Sequence, residues 1–251
     1  MQDAELLQAL AANTAFLRGV GVASPGARLI ERDGLLATVV PTCPQRSIVN
    51  SVIYHEPAAL APAYDELEAT YAAAGVQAWT VWASPADTEV TALLAARGHV
   101  LDAAPQMMGM GLDELPAARP NGPADWDRAI EPSVLGAIND EAYGYGRSLR
   151  DAFAHFPLGA AHWYVARLEG EPVTCLMALD QGTDTDIDMV ATRPQARGRG
   201  LVTELLAHAL FDARERGMRS TTLVASKLGR PVYERLGYRA LGPIELWERR
   251  G

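Results

Sequence analysis

The sequence predicts an α/β (α+β) fold built from two successive domains, each a sheet with helices packed on it. Three observations carry this reading. The order strand, helix, strand, short helix, strand over residues 47–112 returns over 184–247. A proline- and glycine-rich stretch, Asp113–Asp125 (DELPAARPNGPAD), lies between the halves. Leu94-Ala-Ala-Arg-Gly98-His99 stands in the first half where Tyr233-Glu-Arg-Leu-Gly237-Tyr238 stands in the second. The expected division is a domain over 1–115, a linker over 116–125 and a domain over 126–251.

The elements follow in order. Residues 3–18 place apolar side chains at helical spacing, and Ser24-Pro25-Gly26 breaks the chain. Arg28–Glu31 and Leu35–Val40 flank Asp33-Gly34, a short-hairpin signal. Ser47–Tyr54 reads as a strand, Ala58–Ala74 as an amphipathic helix, Val76–Ala83 as a strand, Glu89–Arg97 as a short helix and Val100–Leu112 as a bent strand region. Beyond the linker, Trp126–Ile130 is extended and Pro132 opens a helix to residue 142. The turn Tyr143-Gly144-Tyr145-Gly146-Arg147 precedes a second helical stretch, Leu149–Phe156. Trp163–Leu168 and Val173–Leu179 flank Glu169-Gly170-Glu171 as an antiparallel pair. A strand from Asp184, a helix from Leu201, a strand over Arg219–Ala225, a helix over Leu228–Leu236 and an extended segment over Tyr238–Trp247 complete the chain.

Composition bounds the function. With 49% hydrophobic residues in 251, cores are ample for two domains. The formal charge of −9 and a pI near 5.1 argue against nucleic acid as a partner. The charge is uneven: residues 191–251 hold 12 basic and 6 acidic side chains, and the remainder holds 10 and 25. Solvated helix faces account for that, as does a C-terminal part that binds an anion and a remainder that attracts a cation. No apolar run nears 18 residues and no secretory pattern follows Met1, so a cytoplasmic protein off the membrane is expected. Cys43 and Cys175 show no metal spacing and read as reduced thiols, with no metal site.

Function concentrates in Asp184–Leu206 (DTDIDMVATRPQARGRGLVTELL), a strand, a glycine turn and a helix start. The first amides of a helix lack intrahelical acceptors and its dipole is positive there, so such a junction binds anions. Gly198 and Gly200 let a phosphate approach the backbone and allow φ > 0. Arg197 and Arg199 add charge, and Thr203 offers a hydroxyl. Neither G-x-x-x-x-G-K-[ST] nor G-x-G-x-x-G is present, which excludes the commonest nucleotide loops.

The stretch resembles the signature of the GNAT N-acetyltransferase superfamily, Q/R-x-x-G-x-G/A, with Arg197, Gly200 and Val202 at the defining positions. Val202 departs from the usual small residue, and Gln195-x-x-Gly198-x-Gly200 is a second frame. Ser226-Lys-Leu-Gly-Arg-Pro-Val-Tyr233-Glu-Arg-Leu-Gly237-Tyr238 is similar to the family's N-x-x-A-x-x-x-Y-x-x-x-G-[FY] segment. The resemblance covers about the last 125 residues. It implies two GNAT-like domains with mixed, mostly antiparallel sheets. The first lacks the loop, since Tyr54-His55-Glu56-Pro57 enters its helix directly and Leu94 replaces the tyrosine.

The resemblance implies acetyl-CoA as cofactor. Its pyrophosphate would lie on Arg197, Gly198, Arg199, Gly200, Leu201, Val202 and Thr203, and its pantetheine arm along Val190, Ala191 and Thr192. Ser226 would lie near it in place of an asparagine. Tyr233 matches the general acid that protonates the leaving thiolate. Asp184, Asp186 and Asp188 alternate on one strand face, with Asp186 at a spacing used for a carboxylate base. The alternatives are an acidic lining, or Glu141 or His162 as base. Tyr143, Tyr145 and Arg147 belong to the region that forms the acceptor loop. The expected activity is acetyl transfer to a primary amine of a small molecule or peptide, with a non-catalytic acyl-CoA-binding sensor or scaffold as the contrasting reading. A homodimer is a possible assembly.

Overall fold

A computed structural model describes residues 13–119, 121, 125–128, 131–157 and 159–251. Most of the expected helix over 3–18, part of the linker (Pro120, Gly122, Pro123) and the end of the expected strand at 126–130 lie outside the described residues. The chain forms two compact units. One holds Leu17–Pro105 with Pro243–Gly251, and the other holds Gln106–Gly242 with the described residues up to Phe16.

The N-terminal unit contains a six-stranded sheet in the order β1-β2-β3-β4-β13-β5. Strands β1 (Arg28–Arg32), β2 (Leu35–Val39), β3 (Ser51–Tyr54), β4 (Ala78–Ala83) and β5 (Val100–Ala103) come from the first half, and β13 (Glu245–Arg250) from the end of the sequence. Only β3 and β4 run parallel. Helix α1, described over 13–20, precedes them. Helices α2 (Pro57–Ala73) and α3 (Thr88–Ala96) bury Leu60, Tyr64, Leu67, Tyr71, Val90 and Leu94 in the core of this unit. Each fully buried large apolar side chain contributes about 1.5–3 kcal/mol.

The C-terminal unit contains a seven-stranded sheet, β12-β6-β11-β10-β9-β8-β7. Its strands are β6 (Gln106–Gly111), β7 (Trp126–Asp127), β8 (Ala161–Leu168), β9 (Glu171–Gln181), β10 (Asp184–Thr192), β11 (Ser220–Ala225) and β12 (Arg239–Pro243). β10 and β11 are parallel, while β6, β7, β8 and β9 pair antiparallel with their neighbours on the β10 side. Helices α4 (Pro132–Tyr143), α5 (Ser148–Ala152), α6 (Leu201–Glu215) and α7 (Arg230–Arg235) complete it. Asn139 of α4 reaches Cys175, whereas Asp212 of α6 reaches Tyr164, the cross-strand partner of Leu176. Successive residues point to opposite faces, so α4 and α6 cover the two faces of the sheet.

The expected contiguous split is crossed twice. The bent region 100–112 is two strands, β5 and β6, in different sheets, and the final segment 238–247 is likewise β12 and the start of β13. Pro105 stands at the first break and Pro243 at the second. Proline cannot donate to a ladder, so each extended run changes sheets there.

Candidate active site

The site begins where two parallel strands part. β10 and β11 are paired from Asp184↔Ser220 to Ile187↔Leu223, and the register stops there. β11 continues to Ala225 against β6. β10 takes a bulge, its pairing with β9 jumping from Asp188↔Met177 to Ala191↔Cys175. Met189 sits in the bulge with φ 53, a left-handed conformation rare outside glycine. Residues 190–192, the expected pantetheine positions, therefore lie along an opening between strands.

The carbonyls of this segment are held from the side. Asn139 donates to Met189 O at 3.0 Å, the Tyr143 hydroxyl to Val190 O at 3.2 Å, Thr174 to Ala191 O at 2.8 Å and Arg197 to Thr192 O at 3.2 Å. Arg197 also donates to Ala142 O at 2.8 Å. It therefore braces the loop against α4, where the sequence suggested charge for a phosphate. Arg197 and Arg199 are both exposed.

Past Arg193 the chain makes a single 3-10 turn over Pro194–Ala196, then Gly198 (φ 75) and Gly200 (φ 79) adopt left-handed backbone. A Cβ on Gly198 would meet nothing within 4 Å, and one on Gly200 only Glu204 Oε1 at 3.9 Å. The glycines border open space, and φ is the reason for their identity. Gly200 caps α6, its carbonyl accepting from Thr203 N and Glu204 N, while the amides of Leu201 and Val202 precede any intrahelical acceptor.

Tyr233 lies on α7, buried, its ring edge-on to Tyr238 at 5.8 Å. Burial, then Tyr143 and Asp188, push its hydroxyl above the ordinary phenol range, so it keeps its proton. Ser226 Oγ accepts from Gly229 N at 3.1 Å and retains a hydroxyl proton to donate. The three aspartates share a face, with Asp184 and Asp186 buried and Asp188 half-buried. Asp184 is 1% exposed and accepts from Ser220 at 2.7 Å and Thr222 at 2.6 Å. Asp186, 4% exposed, has its carboxyl raised well above the usual range by burial and by the Asp188 charge. Burial also raises Asp188, but it is the more accessible partner, and its Oδ2 has no hydrogen-bond partner. Asp186 is thus the carboxyl that keeps a proton, and Asp188 is the one that ionises first beside Tyr233. Alternation placed all three aspartates on one face and the family spacing singled out Asp186; the bulge one residue on sets Asp188 apart.

Residues 132–238 match the model of the Acetyltransferase (GNAT) family. This segment is a GNAT acetyltransferase domain. No curated protein matches the chain in sequence. Among solved structures it is similar to a GCN5-related N-acetyltransferase from Kribbella flavida at 20% identity and a TM-score of 0.66, over 97% of this chain and 96% of that one. A GCN5-related N-acetyltransferase from Sphaerobacter thermophilus is similar at 16% identity, TM-score 0.61, over 96% and 93%. A tandem GNAT protein from the clavulanic acid biosynthesis pathway is similar at 13%, TM-score 0.60, over 96% and 95%. These likenesses are of fold, and they extend across both units.

GNAT enzymes use acetyl-CoA, and the site fits it in two respects. The left-handed glycines leave room before the free amides of α6, and the parted strands leave a slot along 190–192. Of the other candidates in the GNAT domain, Glu141 is taken up by Arg193 at 3.3 Å and Gln195 at 3.1 Å. His162 pairs with Asp180 at 3.1 Å and aligns with Ala178, itself opposite Ile187, so it lies on the α6 face, away from Asp186 and Asp188. Tyr143 and Tyr145 stack at 5.6 Å beside a cavity of about 430 Å³ lined by Asp140, Glu141, Arg147, Arg150 and Arg193 among others. Among the described residues, no helix is long and apolar enough to cross a membrane.

Proposed function

We propose that the chain is an acetyl-CoA-dependent N-acetyltransferase acting on a primary amine of a small molecule or peptide. The observation that carries this is the meeting, at one bulge, of the strand opening, a carboxyl pair and a proton-retaining tyrosine. The amides of Leu201 and Val202, the space bordered by Gly198 and Gly200, and the Arg199 and Thr203 side chains would hold the pyrophosphate. Val190, Ala191 and Thr192 would lie along the pantetheine arm, and Ser226 would flank it. Acetyl-CoA supplies a thioester with a good leaving group.

The protein's share is proton management and orientation. Asp188, ionised while Asp186 holds the shared proton, removes a proton from the acceptor ammonium. Tyr233, its phenol kept protonated by burial, donates to the departing sulfur. Tyr143, Tyr145 and Arg147 border the acceptor.

The N-terminal unit we read as a degenerate GNAT-like domain without a cofactor site. In it the corresponding parallel strands stay paired through Ile53↔Trp82, with Trp82 Nε1 bonded to Ser51 Oγ at 3.0 Å. The Tyr54 hydroxyl then closes the end, accepting from Ser84 N at 3.1 Å and donating to Asp87 at 2.6 Å. These contacts support reading this end as closed to an acyl arm.

A panel of amines incubated with acetyl-CoA, followed by thiol release, tests the proposal. Release that depends on an amine and disappears in Asp188→Asn supports it. Tight binding of coenzyme A with no release for any amine favours the binding-only reading.

A further inference from the structure

The bulge that opens the strands has an unfavourable backbone, so something must hold it. Met189 is left-handed at φ 53, a region that L side chains adopt only at a cost. Its carbonyl has left the β9 ladder, and an unsatisfied buried carbonyl adds to that cost. A regular β10 would avoid both and could go on pairing with β11 at Val224 and Ala225, which would close the opening.

We infer that Asn139 is a positioning residue for acyl transfer, pinning the Met189 carbonyl and so keeping β10 bulged and parted from β11. This rests on the reading that the cofactor arm lies along 190–192. Asn139 is a polar residue on the buried face of α4, beside Leu135 and Ile138. Its Nδ2 sits 3.0 Å from Met189 O, 2.9 Å from Leu135 O and 3.5 Å from Cys175 Sγ. Cys175 Sγ lies 3.3 Å from the same Met189 carbonyl. An amide carries two donor hydrogens, and here one goes to its own helix and one to the bulge. A leucine would fill the space and satisfy nothing at Met189, so the apolar face of α4 would tolerate it while the bulge would not. One turn along α4, Tyr143 meets the next carbonyl, Val190 O, but Tyr143 is 53% exposed and a ligand can displace it. The buried donors to Met189 O are Asn139 and the Cys175 thiol, and of these the amide is the stronger donor.

The test uses the full chain with Asn139→Leu, Met189→Val, Met189→Gly and the Asn139→Leu/Met189→Gly double variant. Backbone chemical shifts of 188–192 without ligand report the bulge, and calorimetry with coenzyme A reports the site. Asn139→Leu and the β-branched Met189→Val should each move residue 189 out of the left-handed region and weaken coenzyme A by about tenfold or more. Glycine is at ease at φ 53, so Met189→Gly should bring the Asn139→Leu chain back to within about threefold of wild type. KM for acetyl-CoA should rise more than kcat falls. A left-handed residue 189 and unchanged affinity in Asn139→Leu would overturn the inference, as would lost affinity that glycine does not rescue. If Asn139→Leu does not fold, Met189→Val decides alone, retained affinity counting against the inference. If the wild type binds no coenzyme A, the cofactor reading falls, and the chemical shifts still decide whether Asn139 sets the bulge.

Discussion

Replacing Gly200 by alanine separates a stability effect from a binding effect, and both can be sized from the structure. Gly200 has φ 79 and ψ −6, and the added methyl meets only Glu204 Oε1 at 3.9 Å, so there is no clash to relieve. Left-handed backbone costs an L residue about 1–2 kcal/mol, and reduced freedom of the unfolded chain returns about 0.4–1 kcal/mol. The net loss of about 1 kcal/mol lowers Tm by about 2–4 °C in a chain of this size. The methyl stands in the space before the α6 amides, where a phosphate oxygen would sit. Losing one hydrogen bond to a charged group costs about 1.5–3 kcal/mol, so coenzyme A affinity should fall about ten- to a hundredfold. Calorimetric titration gives the affinity and a scanning melt gives Tm. A Tm lowered by those few degrees with an unchanged Kd would refute the placement of the phosphate.

Three further outcomes are expected. Tyr233→Phe should leave coenzyme A affinity intact and lower kcat by about 10²–10⁴-fold, the usual worth of a general acid, in single-turnover kinetics. Asp186 has its folded pKa raised by burial and by Asp188, so the stability its protonation gives is present at low pH and lost as pH rises through the folded pKa. Asp186→Asn should therefore flatten the decline of Tm with rising pH, and an unaltered slope would count against the shared proton. His99 is buried between Tyr64 (2.9 Å) and the Trp247 carbonyl (2.9 Å), and burial lowers its pKa to about 4. The unfolded chain binds that proton more readily, so stability is present above about pH 6.5 and falls by about 2–4 kcal/mol as pH drops to 4. Denaturant melts of wild type and His99→Gln across that range should diverge at high pH and converge at low pH.

The features legible in the sequence were those with a single physical cause. Gly198 and Gly200 stand out because left-handed backbone selects glycine, and the aspartates because period-2 spacing puts them on one face. The bulge was not legible, because methionine at 189 carries no sign of positive φ. Its one trace is Asn139, a polar residue among apolar positions of α4. The contact of the Arg197 guanidinium with the end of α4 at Ala142 was not legible either, because the loop sequence says nothing of what packs beside it. The exchanged strands had a trace as well: Pro105 and Pro243 interrupt two runs that otherwise read as continuous.

Hydrogen exchange of the full chain with and without coenzyme A tests the account most directly, because it asks where the cofactor sits without needing an acceptor. The account predicts added protection at 188–203 and around Ser226–Tyr233, with none at 51–57, where the equivalent strands are closed. Protection centred on 51–57, or binding that leaves 188–203 unprotected, would contradict it.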